Sequence, residues 1–73
     1  KQILVFINNS TLSKEQIEEL KKNKINFFKT SNKELENYFD IKIFPTLIII
    51  EKNKTKKYEG FIPSEILKYE LKD

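Results

Sequence analysis

Asp40-Ile41-Lys42-Ile43-Phe44-Pro45-Thr46-Leu47-Ile48-Ile49-Ile50 is the stretch on which the fold of this 73-residue chain turns. It reads as a strand from Ile43 to Ile50 whose apolar run, Leu47 to Ile50, fits a position covered on both faces. Pro45 cannot donate to a ladder, so it belongs at the strand's beginning or on an edge. Upstream, Ser31-Asn32-Lys33-Glu34 reads as a capping box opening a short helix through Leu35, Tyr38 and Phe39. Before it, Ile25 to Lys29 predicts a strand. The chain opens on a wholly apolar strand, Ile3 to Ile7, followed by polar residues from Asn8. Ser13-Lys14-Glu15-Gln16 reads as a second capping box, for a helix that turns Ile17 and Leu20 inward, with the stems of Lys21 and Lys24 beside them. Downstream, Lys52 to Lys54 predict a polar turn, and Lys56 to Tyr58 a strand leading to Gly60. Pro63 suits the first turn of a last helix carrying Ile66, Leu67 and Leu71 inward. The order is β-α-β-α-β-β-α, with no repeat or linker, and residues 1–73 are expected to form a single domain.

Composition narrows the chemistry. The chain has no Cys, His, Met or Trp, which removes thiol nucleophiles, imidazole bases and the usual zinc ligand sets. No metal or cofactor is expected, and the 38% of apolar residues must form a core without a disulfide. Only about 60% of the surface of so short a chain can be buried. The net charge is +3, carried entirely by Lys, which is too small to imply nucleic acid and lacks the bidentate fork of Arg. The longest apolar run is far short of a membrane span, so no membrane partner is expected.

This order, at this length, resembles the minimal thioredoxin fold. Phe44-Pro45-Thr46-Leu47 followed by Ile48-Ile49-Ile50 is similar to the segment in which a cis-proline precedes Thr and an apolar strand. Gly60-Phe61-Ile62-Pro63 resembles the ending of small glutaredoxin-like proteins that reduce ribonucleotide reductase. The resemblance spans nearly the whole chain. It implies an α/β architecture with a four-stranded mixed sheet, spatial order second, first, third, fourth, and helices on both faces. It also implies a cytoplasmic carrier exchanging thiols with disulfides in protein partners.

In that family the chemistry sits where the first strand meets the first helix, as Cys-x-x-Cys. Positions i and i+3 at a helix start face each other within disulfide reach, and the free N–H groups of the first turn stabilise a thiolate. Aligned without a gap from Leu20 and Ile25, those places fall on Ser10 and Ser13, so Ser10-Thr11-Leu12-Ser13 stands where the family has Cys-x-x-Cys. A hydroxyl cannot form a disulfide, and exchange is impossible in this chain as written. Two origins fit: replacement of both cysteines by serine, or a natural relative that lost its thiols and only binds. Whether the chain is an enzyme stays open on the same ground.

The resemblance assigns Ser10 the attacking position and Ser13 the resolving one. Phe44 and Pro45 would form the edge on which an extended peptide docks, with Thr11 and Leu12 exposed beside it. Plainer readings stand next to these: Ser13 as a helix cap, Phe44 as core, Thr11 and Leu12 as loop, Pro45 as a trans proline. A reductase or glutathione is the expected electron source, but no convincing set of glutathione contacts can be placed. The Lys52–Lys57 stretch lacks interleaved aromatic residues, which argues against a nucleic-acid site. Glu18, Glu19, Glu34 and Glu36 are read as solvent-facing helix acids.

Overall fold

Seven elements form from these patterns in a computed structural model, which describes residues 1–70. They are β1 (Gln2–Phe6), α1 (Thr11–Lys22), β2 (Phe28–Thr30), α2 (Lys33–Tyr38), β3 (Thr46–Glu51), β4 (Lys54–Glu59) and α3 (Ser64–Glu70). The sheet runs β2-β1-β3-β4. β1 and β2 are parallel because α1 crosses over between them. β3 lies antiparallel to both β1 and β4.

The two central strands explain the two apolar runs. Successive residues of a strand point to opposite faces, so β1 and β3 must be apolar throughout to meet a layer on each side. On one face Ile3, Val5, Leu47 and Ile49 pack with Ile17 and Leu20 of α1 and with Ile62 and Leu67 at α3. On the other, Phe6, Ile48 and Ile41 form a smaller cluster, against which Leu4, Phe39, Phe44 and Ile50 are partly buried. The rings of Phe6 and Phe39 meet edge to face at 5.9 Å. α1 and α3 thus cover one face and α2 the other.

Several boundaries differ from the sequence reading, and each has a local cause. Helix α1 is capped by Ser10 and not Ser13; Ser10 Oγ accepts from the Ser13 N–H. Ser13 is therefore a buried third residue of the helix, and Gln16 turns into the core without reaching back. Helix α2 is capped by Asn32, whose side chain accepts from the Leu35 N–H, and not by Ser31. β2 starts at Phe28 because Lys24 (φ 57°) turns the chain after α1, and Ile25 donates to the Leu20 carbonyl. Lys24 lies outside the helix, and it and Lys21 are exposed, so neither stem contributes to the core. β3 starts only at Thr46, immediately after Pro45.

β4 is longer than expected and takes in Lys54 and Thr55, leaving Lys52 and Asn53 as the turn. Ile66 is exposed whereas Leu67 is buried; Leu71 lies outside the described residues. Among the acids, Glu36 is buried at 8% exposure, contrary to a solvent-facing reading, and Glu19 accepts a hydrogen bond from the Ser64 hydroxyl. No helix among the described residues is long and apolar enough to cross a membrane.

Two lysines of the basic stretch have structural partners. Lys57 Nζ donates to the carbonyls of Phe39 (3.2 Å) and Asp40 (2.8 Å), just past α2. Lys56 lies 3.5 Å from Glu70, which also accepts from the Tyr58 hydroxyl at 2.5 Å. That bond, with burial and the charges of Glu70 and Glu51, pushes the Tyr58 phenol up to about 12. The same bond holds the Glu70 carboxyl below its ordinary value, aided by Lys56.

An unfolded Tyr ionises at about 10, so the raised folded value marks a neutral phenol favoured by folding. Its contribution is complete below about pH 10 and is lost as pH rises toward about 12. In urea titrations the stability advantage over Tyr58→Phe should hold at neutral pH and shrink across that alkaline window. A difference that stays flat through pH 12 would show that the phenol makes no such bond.

Candidate functional site

The residues between β1 and α1 organise themselves around Asn8. Asn8 Oδ1 accepts from the Ser10 N–H (3.0 Å) and from Ser13 Oγ (2.9 Å), while its own N–H donates to Ser13 Oγ (3.1 Å). This is an Asx-type local turn, the side chain replacing a backbone partner two residues on. Ser10 stands at the helix cap with extended backbone (φ −73°, ψ 159°). Its Oγ accepts from the Ser13 N–H at 3.2 Å and donates to Ser13 Oγ, also at 3.2 Å. Positions 10 and 13 therefore face each other across the first turn, one half-buried and one buried.

The chemistry available to these hydroxyls is limited. A serine nucleophile needs a base to take its proton. Here the Ser10 proton is held by Ser13 and the Ser13 proton by a neutral amide oxygen. The geometry suits a pair of linked side chains at a helix start; it does not suit acyl transfer. Among the described residues no group of three or more His, Cys, Asp or Glu is placed to hold a metal ion.

Thr11 and Leu12 are exposed on the outer side of this turn. The Phe44–Pro45 peptide bond is cis. Pro45 is buried, whereas Phe44 is half-buried and packs its ring on the smaller core cluster. Thr46 Oγ1 donates to the Ile43 carbonyl (2.6 Å), and the Gly60 N–H donates to the Pro45 carbonyl (2.8 Å). Gly60 has φ +90°, a conformation that a side chain disfavours. Among the described residues neither the N–H nor the C=O of Phe44 is paired, so that backbone is open where the strand has not yet begun.

A cleft lined by Ile7, Asn8, Asn9, Ser31, Lys33, Glu36 and Phe44 connects the Asn8 turn to this open edge. A second, on the far side of α1, brings Thr11 and Lys14 beside Phe61. The predicted residues thus fall around one end of the sheet. The sequence reading gives no site role to Asn8, Gln16, Glu36 or Phe61. An Asn two residues before the cap was a legible signal for the first.

Gln16 fixes the Phe61 side of the site. It is wholly buried, and its amide accepts from the Ile62 N–H (2.7 Å) and donates to the Ile62 carbonyl (3.1 Å), like one rung of a sheet. Gln16→Leu keeps the volume and leaves both backbone groups buried without partners. We expect it to lose about 2–4 kcal/mol of stability in urea unfolding. A loss below about 0.5 kcal/mol would mean that water replaces the amide at no cost.

No protein-family model matches this chain. No curated protein matches its sequence. Solved structures do match. The structure of a malarial protein superposes with a TM-score of 0.81 at 22% identity, over 96% of this chain and 91% of that one. The chloroplastic thioredoxin z superposes with a TM-score of 0.63, also at 22% identity, over 88% of this chain and 68% of that one. Identities this low speak to architecture alone. With its β2-β1-β3-β4 mixed sheet and helices on both faces, this chain has a thioredoxin-like fold.

Proposed function

We propose that this site is built for thiol–disulfide exchange with protein disulfides, and that with Ser at positions 10 and 13 the chain performs only the docking half of that task. The observation that carries the reading is the pairing of the two Oγ atoms at 3.2 Å across the first turn of α1, with the Ser13 N–H directed at Ser10 Oγ. A thiolate at position 10 would receive that same N–H and the field of the helix start, which is how such a thiol becomes the attacking species.

Docking rests on Phe44. Its unpaired N–H and C=O offer an extended peptide the two main-chain bonds of strand addition. Thr11 and Leu12, both exposed, would flank that peptide, and the buried Pro45 would hold Phe44 in place from beneath. A second reading, a thioredoxin-fold interaction module that never carried thiols, draws on the saturated Asn8–Ser10–Ser13 hydrogen bonding, which suits hydroxyls as they stand. Placing Cys at positions 10 and 13 and assaying reduction of insulin disulfides with dithiothreitol separates the two. A folded double variant without activity and without an internal disulfide would leave only the interaction module.

A further inference from the structure

We infer that the cleft beside Phe44 is a side-chain subsite that selects a basic residue, Lys or Arg, in the docked peptide, through the buried carboxylate of Glu36. The inference rests on the docking reading above and adds the chemical class of the partner.

The cleft has a volume of about 370 Å³, enough for a long side chain. Its wall is formed by the Asn8–Asn9 turn, Ser31, Phe44 and the first turns of α2. Phe44 belongs both to this wall and to the open backbone edge, so a peptide paired on its N–H and C=O passes the mouth of the cleft. Side chains of an extended peptide alternate in direction, and one of those next to the paired residue enters.

Two charged groups line the cleft, Lys33 and Glu36, and their burial is opposite. The Glu36 side chain is 10% exposed and that of Lys33 is 85% exposed. The inner charge is therefore negative and the rim charge positive. The carboxylate's one charged contact among the described residues is Lys33 Nζ at 3.4 Å, an i,i+3 pair on the same helix. Such a pair with one solvated member contributes little, so an incoming ammonium or guanidinium can displace Lys33 and take its place. A carboxylate on a side chain only 10% exposed favours a cationic partner more than a fully solvated one does. Asn8, Asn9 and Ser31 supply further polar groups around a guanidinium or ammonium head.

Disulfide tethering on a Ser10→Cys variant tests this. The thiolate at position 10 attacks the homodisulfide of a short cysteine peptide, forming a protein–peptide disulfide and releasing one peptide thiol. Peptides of the form acetyl-Val-Xaa-Cys-Zaa-Val-amide, with Lys, Arg, Gln or Glu placed in turn at Xaa and Zaa, compete pairwise at equilibrium, and mass spectrometry reads the ratio. At one of the two positions Lys and Arg should be captured about tenfold over Gln, with Glu captured least. Glu36→Gln in the same background should bring the Lys-to-Gln ratio close to one, and the folded state of that variant is checked by circular dichroism. Equal capture of Lys and Gln, preference for Glu, or a Lys preference that survives Glu36→Gln overturns the basic subsite while leaving docking intact. If no peptide is captured beyond the level of 2-mercaptoethanol disulfide, docking and the subsite fall together.

Discussion

Ser10→Cys/Ser13→Cys should convert a chain with no exchange activity into one that closes an internal disulfide and accelerates insulin reduction by dithiothreitol about tenfold or more. Three features of the site lead to this expectation. The two Oγ atoms already lie 3.2 Å apart, so the side chains point at each other as a disulfide requires. The residue at position 10 caps α1 and receives the N–H of position 13, which favours a thiolate there at neutral pH. The residue at position 13 is buried next to it, as a resolving thiol must be to attack the mixed disulfide without meeting solvent oxidants first.

The exchange balances in two steps. The thiolate at position 10 attacks a substrate disulfide and releases one substrate thiol; the thiol at position 13 then displaces the second, leaving the protein oxidised for dithiothreitol to reduce. Ser10→Cys alone should stop at the mixed disulfide, and Ser13→Cys alone should show no turnover. Equal activity in all three variants would assign the reduction to dithiothreitol.

Phe6→Ala should be the most destabilising single truncation on the α2 face, at about 3–5 kcal/mol. Phe6 is fully buried, and it holds together a cluster whose other buried members are only Ile41 and Ile48. Few neighbours can collapse into the vacated volume, because the backbone of β1 is fixed by β2 on one side and β3 on the other. Small domains have about 5–15 kcal/mol to lose, so the thermal midpoint should fall by about 15 °C or more. Tyr38→Ala is the comparison: its ring is 80% exposed and touches Phe39 only at an edge, and its effect should stay within about 0.5 kcal/mol. A Phe6→Ala midpoint within a few degrees of the parent would show that the second layer contributes little to stability.

Legibility followed the physics of each signal. The β1 and β3 runs were readable because a central strand must be apolar on both faces. β2 begins later than its apolar content suggests because Ile25 and Phe27 pack on the larger core cluster from an irregular segment, which apolar content alone cannot separate from a strand. Both capping boxes failed for one reason. Several Ser and Asn residues adjoin each helix start, and the cap is chosen by where the preceding strand releases the chain. Asn8 settles that choice for α1 by holding the Ser10 and Ser13 groups together. The count back from Leu20 and Ile25 does not depend on the cap, and the structure places Ser10 at the cap of α1 and Ser13 buried in its first turn.

What the sequence determined by itself is the element order, the two-faced central strands, the absence of thiol and imidazole chemistry, and the placing of two serines three residues apart at a helix start. These are local or compositional properties, set by periodicity of two or 3.6 and by which side chains exist. Only the tertiary structure decided what meets across the chain. It put the open Phe44 backbone beside the Asn8 turn, paired Gln16 with Ile62 forty-six positions away, and buried Glu36 in a cleft between three segments. Such contacts arise when the sheet closes around its core, and no spacing along the chain encodes them.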